Sequence, residues 1–238
     1  MLHYYFTTIH SPAYARAMIE EYRFRTEHPK GCSLFVRVSS EKPVPGTPVS
    51  KITISDSCTY ILFYPYRIDE NGQYKVNRLL NELKAWLVVE DLQSLPTQVM
   101  ITVTGAHNLA PVQVEELRYL ADLDASASLK AKQAQYVVAC YGLRTTSDTR
   151  LYPGARKLME LADTVESIPI NCSCGRPAVF NYDTGHSEEP LCAACYYNRT
   201  IGAGIDDAFM RVAKEDAYEY IQAVVRQREE SPSWQKKK

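Results

Sequence analysis

Apolar residues crowd the first positions of the chain, where Leu2 to Thr7 reads LHYYFT. The run alternates poorly and is aromatic, as expected of a strand buried on both faces. Ser11-Pro12 follows as an N-cap and first residue of a helix. That helix is expected to reach about Arg25, with Ala17, Met18, Tyr22 and Phe24 turned inward, and to end at His28-Pro29-Lys30-Gly31. Residues 33–38 (SLFVRV) read as a second strand, 41–48 (EKPVPGTP) as a loop, and 49–64 as further β-structure. DENG at 69–72 is a turn. Residues 76–92 place Leu79, Leu80, Leu83, Leu87 and Val88 at helical spacing. QVMITVT at 98–104 is a short buried strand. A helix is predicted from Pro111 to about Leu123, a strand over Gln135–Tyr141, a short helix over 153–162, and a last helix over about Asp206–Arg228. Strands alternating with helices predict an α/β fold with a mainly parallel sheet and helices on its faces.

Composition narrows the function classes. The chain has 238 residues, 45% hydrophobic and 23% charged, with a net charge of -1. Those values fit a globular protein with a sizeable core and give no bulk electrostatic case for nucleic acid or membrane. No apolar run approaches the roughly 20 residues that span a bilayer. The N-terminus lacks a basic flank and a small-residue cleavage site, so no signal peptide is expected and a cytoplasmic location is.

Four of the seven cysteines cluster as Cys172-x-Cys174, a gap of 17 residues, then Cys192-x-x-Cys195. Each short pair can offer two thiolates from one tight turn, the pattern of a tetrahedral structural zinc site. Gly175 stands where such a turn needs a permissive backbone. The competing reading is reduced, buried cysteines or one disulfide. Four thiolates leave no open position for a reactive water, so a catalytic metal is not expected here. His186, inside the gap, reads as an exposed loop residue.

VVACYGLRT at 137–145 and LADTVESIPINCSCGRPA at 161–178 resemble the late kinase-domain strand and the approach to the zinc ribbon in bacterial-type thymidine kinases. CAAC at 192–195 resembles the second half of that ribbon, where the family often has a histidine. SKITISDS at 50–57 and VTGAHNLAPVQVEEL at 103–117 are similar to a β-hairpin region and to the stretch with the family's acidic motif. The resemblance implies a P-loop-type sheet flanked by helices, a small C-terminal zinc ribbon and a terminal helix. It divides the chain into a kinase-like domain at 1–168, a ribbon at 169–200, and a C-terminal helix with charged tail at 201–238.

The resemblance also exposes departures. The family's first loop ends in Gly-Lys-Ser or Gly-Lys-Thr, whose backbone and lysine hold phosphates and whose hydroxyl holds Mg²⁺. The matching positions in FTTIHSPAYAR are Pro12, Ala13 and Tyr14. The family's Asp-Glu pair, for metal and proton abstraction, is matched by Thr104 and Gly105, neither of which ionises. Its thymine-stacking aromatic is matched by Ser147, and the thymidine-clamping segment between the cysteine pairs offers Tyr182 as its tyrosine.

These losses touch phosphate, metal and base, and nucleoside separately. They point to a catalytically silent thymidine-kinase-like protein that binds, regulates or scaffolds, with structural zinc and without ATP or Mg²⁺. Another protein or a second copy is the expected partner, and a membrane is not. The alternative is a divergent deoxynucleoside kinase using Arg16, His107 and Arg144 toward ligand. A second alternative is single-stranded nucleic-acid binding by the ribbon through Arg176, Tyr182, Tyr196, Tyr197 and Arg199, opposed by Asp183, Glu188 and Glu189.

Overall fold

A computed structural model describes residues 1–29, 31–55, 58–83, 98–122, 135–185 and 187–200. It divides into two compact units, Met1–Cys192 and Ala193–Lys238. The later part of the helix expected over 76–92, the end of the helix expected to Leu123, His186, and the helix expected over 206–228 lie outside the described residues.

In the first unit the order is β1 (Leu2–Thr7), α1 (His10–Glu27), β2 (Cys32–Val38), β3 (Ser50–Ser55) and β4 (Cys58–Phe63). A small hairpin follows, β5 (Tyr66–Ile68) and β6 (Tyr74–Val76), and then β7 (Gln98–Thr104). A 3-10 turn (Ala106–Asn108), α2 (Pro111–Asp122), β8 (Gln135–Leu143), α3 (Pro153–Leu161) and β9 (Thr164–Ser167) come next. The ribbon hairpin β10 (Phe180–Asp183) and β11 (Glu188–Leu191) closes the unit. The described part of the second unit is one helix, α4 (Ala193–Thr200).

The main sheet runs β3-β4-β2-β7-β8-β1-β9. Every pair in it is parallel except β3 with β4. Helices cover both faces, which is why its central strands are apolar on both parities. Leu34, Val36, Ile101 and Val138 pack with Val114 and Leu117 of α2 and Leu158 of α3 on one face. Phe35, Met100, Ala139 and Tyr141 pack with Ala13 and Ala17 of α1 on the other. Each fully buried Leu, Ile or Val contributes roughly 1.5–3 kcal/mol. Ligands of such open sheets bind at the carboxyl ends of the strands.

Three expectations are corrected. The inward face of α1 is Ala13, Ala17 and Glu21, while Met18 and Tyr22 are 41% and 67% exposed. Glu21 is tolerated inside because its carboxylate accepts a hydrogen bond from Ser33 Oγ at 2.7 Å and pairs with Arg25 at 2.8 Å. The helix also starts earlier, at His10, with Ile9 rather than Ser11 at the capping position. Pro12 is then the third helical residue, where a missing N–H leaves no intrahelical bond unmade. Similarly, the helix expected from 76 starts at 79, because Val76 pairs with Tyr66 in the small hairpin. Among the described residues no helix is long and apolar enough to cross a membrane.

Candidate functional site

Only Thr8 and Ile9 join the end of β1 to the start of α1. A loop of the G-x-x-x-x-G-K-[ST] kind puts several residues between strand and helix so that successive N–H groups can wrap a phosphate. Two residues cannot do this. Ile9 is extended, with φ -135 and ψ 157, and supplies no side-chain cap. The cap comes instead from the ribbon hairpin: Glu188 Oε2 accepts a hydrogen bond from the His10 backbone N–H at 3.3 Å. The other carboxylate oxygen stands 3.7 Å from His10 Nε2 and accepts from Asn181 Nδ2 at 3.2 Å. A negative side chain therefore sits at the positive end of the helix dipole.

The three loop positions fare differently. Pro12 lies in the first helical turn. Ala13 is 4% exposed and packs into the core under α1. Tyr14 is 44% exposed, its ring edge-on to Phe35 at 6.0 Å. Arg16 is engaged by Glu20 at 2.7 Å, one turn along the helix.

At the end of β7, Thr104 is buried and its hydroxyl reaches Val36 O at 3.5 Å. Gly105 has φ +68, and a Cβ there would meet Val38 O at 2.7 Å. A carboxylate-bearing residue does not fit position 105 in this backbone. His107 follows in the 3-10 turn, 1% exposed. Its Nδ1 accepts the Leu143 N–H at 3.1 Å, which places the ring proton of the neutral form on Nε2. Burial first, and then the neighbouring His10, push its pKa down to about 3. Its ring lies 4.9 Å from that of His10 and 4.6 Å from that of Tyr152. The contacts are those of a core histidine. Arg144, at the end of β8, lays its guanidinium 5.6 Å from the centre of the Phe6 ring, a cation–π contact.

A cleft of about 720 Å³ opens at the carboxyl ends of β2, β4, β7 and β8. It brings Ala13 and Tyr14 together with Thr104 and Gly105, although about 90 residues separate the two pairs. Arg16, His107 and Arg144 do not line it. Arg37, Glu41 and Tyr60 do, and sequence reasoning missed them. Among the described residues the Arg37 guanidinium has no ion-pair partner. Its only sequence signal is a charge interrupting an otherwise buried strand.

The ribbon is built around its cysteines. Gly175, with φ +84, lets its N–H turn back to Cys172 O at 2.8 Å, and the Cys172 N–H bonds Arg176 O at 2.8 Å. The four sulfur atoms of Cys172, Cys174, Cys192 and Cys195 lie within 4.8 Å of one another, with Cys174 and Cys192 at 3.5 Å. Zinc–thiolate bonds of about 2.3 Å in a tetrahedron put sulfurs roughly 3.8 Å apart, so the set fits one structural zinc. No disulfide joins any of the four, and the close grouping of all four sulfurs favours zinc over a single disulfide. Tyr182 is half-buried on β10, and Ser147 is exposed in the turn after β8.

A family model described as thymidine kinase matches residues 57–215, which includes Thr104, Gly105 and the ribbon and leaves β1, α1, β2 and β3 outside. A thymidine kinase of Streptomyces avermitilis is 33% identical over 106 residues, 43% of this chain and 44% of the relative. One from Cutibacterium acnes is 46% identical over 46 residues, 18% of this chain and 21% of the relative. One from Haemophilus influenzae is 24% identical over 179 residues, 75% of this chain and 78% of the relative. The chain thus spans less than half the length of the first two. With a match over more than half its length, carried through the parallel sheet and the four-cysteine ribbon, this chain belongs to the thymidine kinase family.

Proposed function

We propose that this family member performs no phosphoryl transfer and serves as a binding, regulatory or structural protein, with a second protein or a second copy of itself as partner. The observation that carries this reading is the two-residue β1–α1 connection whose helix terminus is held by Glu188. Phosphoryl transfer works by positioning and charge neutralisation. The residues present do not fit a magnesium–nucleotide complex. Position 13 carries a buried alanine, and Thr104 and Gly105 supply no carboxylate. His107 is too buried and too weakly basic to take a substrate proton. A zinc held by Cys172, Cys174, Cys192 and Cys195 would cross-link the ribbon and leave no open position for a reacting water.

The open cleft favours a second reading, a divergent deoxynucleoside kinase in which Arg37 replaces the lysine. Calorimetric titration of the zinc-loaded protein with Mg-ATP and then thymidine separates the two. No heat at millimolar ligand supports the first reading. Micromolar binding followed by thymidine phosphorylation overturns it, and loss of that activity in Arg37→Ala would establish the second.

A further inference from the structure

We propose that Glu188 latches the cysteine ribbon onto the N-terminus of α1, so that zinc loading of the ribbon fixes the first turn of that helix. The inference deepens the reading above, on which it rests, by assigning a control to the closed end of α1.

The first-turn N–H groups of a helix have no intrahelical partner, and α1 has no capping side chain of its own. Its partner is Glu188, 178 residues away in sequence. Asn181 holds that carboxylate from across the hairpin at 3.2 Å, and Asn181 is itself 4% exposed. Latch and holder occupy the two strands of one small hairpin. β10 and β11 share only the pairs from Phe180↔Leu191 to Asp183↔Glu188. A two-stranded hairpin of that size is at best marginally stable alone. Cys192 directly follows β11, and Cys172 and Cys174 precede β10, so zinc ties both ends of the hairpin. Metal bound there is folding free energy for the ribbon. Without it the hairpin loses its tie, Glu188 loses its aim, and the His10 N–H loses its acceptor. Coupling between sites is reciprocal, so removing the latch must also weaken zinc binding.

Selective ¹⁵N-histidine labelling gives five backbone amide signals, and His10 reads the latch directly. His28, at the far end of α1, acts as the reference, and the buried His107 reports whether the domain stays folded. In the zinc-loaded protein, Glu188→Gln should move the His10 amide upfield, because a charged acceptor is replaced by a weaker neutral one. Chelating zinc should move it the same way in the parent chain and add nothing in Glu188→Gln. A His10 signal indifferent to zinc, or moved equally in both proteins, overturns the proposal. Should chelation also send His107 to an unfolded position, competition with a fluorescent chelator decides. Glu188→Gln is then expected to bind zinc roughly fivefold more weakly, and unchanged affinity overturns the latch. Neither readout involves nucleotide, so the latch and the catalytic silence fail separately.

Discussion

Gly105 occupies a position where the family resemblance expects an acid, and the structure gives that glycine a steric reason to be there. Replacing it by alanine should test this. At φ +68 an L-residue costs roughly 1–2 kcal/mol relative to glycine. The added Cβ also lies 2.7 Å from Val38 O, a backbone atom in the adjacent strand that cannot rotate away. Forcing that contact apart costs about 1–3 kcal/mol more. The sum is about 2–5 kcal/mol, a large share of a typical domain's stability of about 5–15 kcal/mol. With a urea slope of about 3 kcal/mol/M, the unfolding midpoint should fall by roughly 1 M, read by far-ultraviolet circular dichroism. Gly72→Ala is the control for strain alone. It has φ +74 and nothing within 4 Å of the new Cβ, so its loss should be about 1 kcal/mol. A Gly105→Ala midpoint within about 0.2 M of the parent, or equal to that of Gly72→Ala, would refute the steric argument. Gly105→Glu, which restores the family's acid, should destabilise at least as much as alanine.

Three further outcomes follow from the same geometry. Burial keeps folded His107 neutral down to about pH 3, whereas the unfolded imidazole takes its proton near 6.5. The unfolded chain therefore binds the extra proton between those values, and stability should fall as pH drops through that window, by at most about 1.4 kcal/mol per unit; urea midpoints at pH 7.5, 6 and 5 should show a shallower fall in His107→Gln. Chelation should remove one zinc per chain and expose four reactive thiols, and Cys192→Ser should bind zinc at least tenfold more weakly by metal competition. Glu116 is 4% exposed and receives both Arg78 Nε and the Leu80 N–H, the latter at 3.0 Å, so Glu116→Ala should cost about 1–3 kcal/mol in the urea midpoint.

What the sequence revealed and what it hid divide along local and distant physics. The cysteine spacing was legible because each pair closes a turn within four residues, and the structure brings all four sulfurs together. The parallel sheet was legible because strands covered on both faces are apolar on both parities, as in QVMITVT. The start of α1 was misread because Ser-Pro carries a good local capping signal, while the acceptor actually used comes from β11. Its inward face was misread because a glutamate reads as solvated until Ser33 and Arg25 are known to meet it. Chain position makes His107 and Arg144 ligand candidates and, as readily, a bystander histidine and a structural arginine; the structure buries His107 and lays Arg144 against Phe6. Arg37 and Tyr60 escaped notice because strand periodicity does not tell which strand ends border an open cleft.

The most direct test of the central claim is a sensitive phosphotransfer assay on the zinc-loaded protein, with γ-labelled ATP, Mg²⁺ and thymidine at millimolar concentrations, run beside an active thymidine kinase. The account predicts no label in thymidine monophosphate above the enzyme-free control. Labelled product that scales with protein concentration and disappears with Arg37→Ala would contradict it, and would mean that the shortened β1–α1 connection still serves a working nucleotide site.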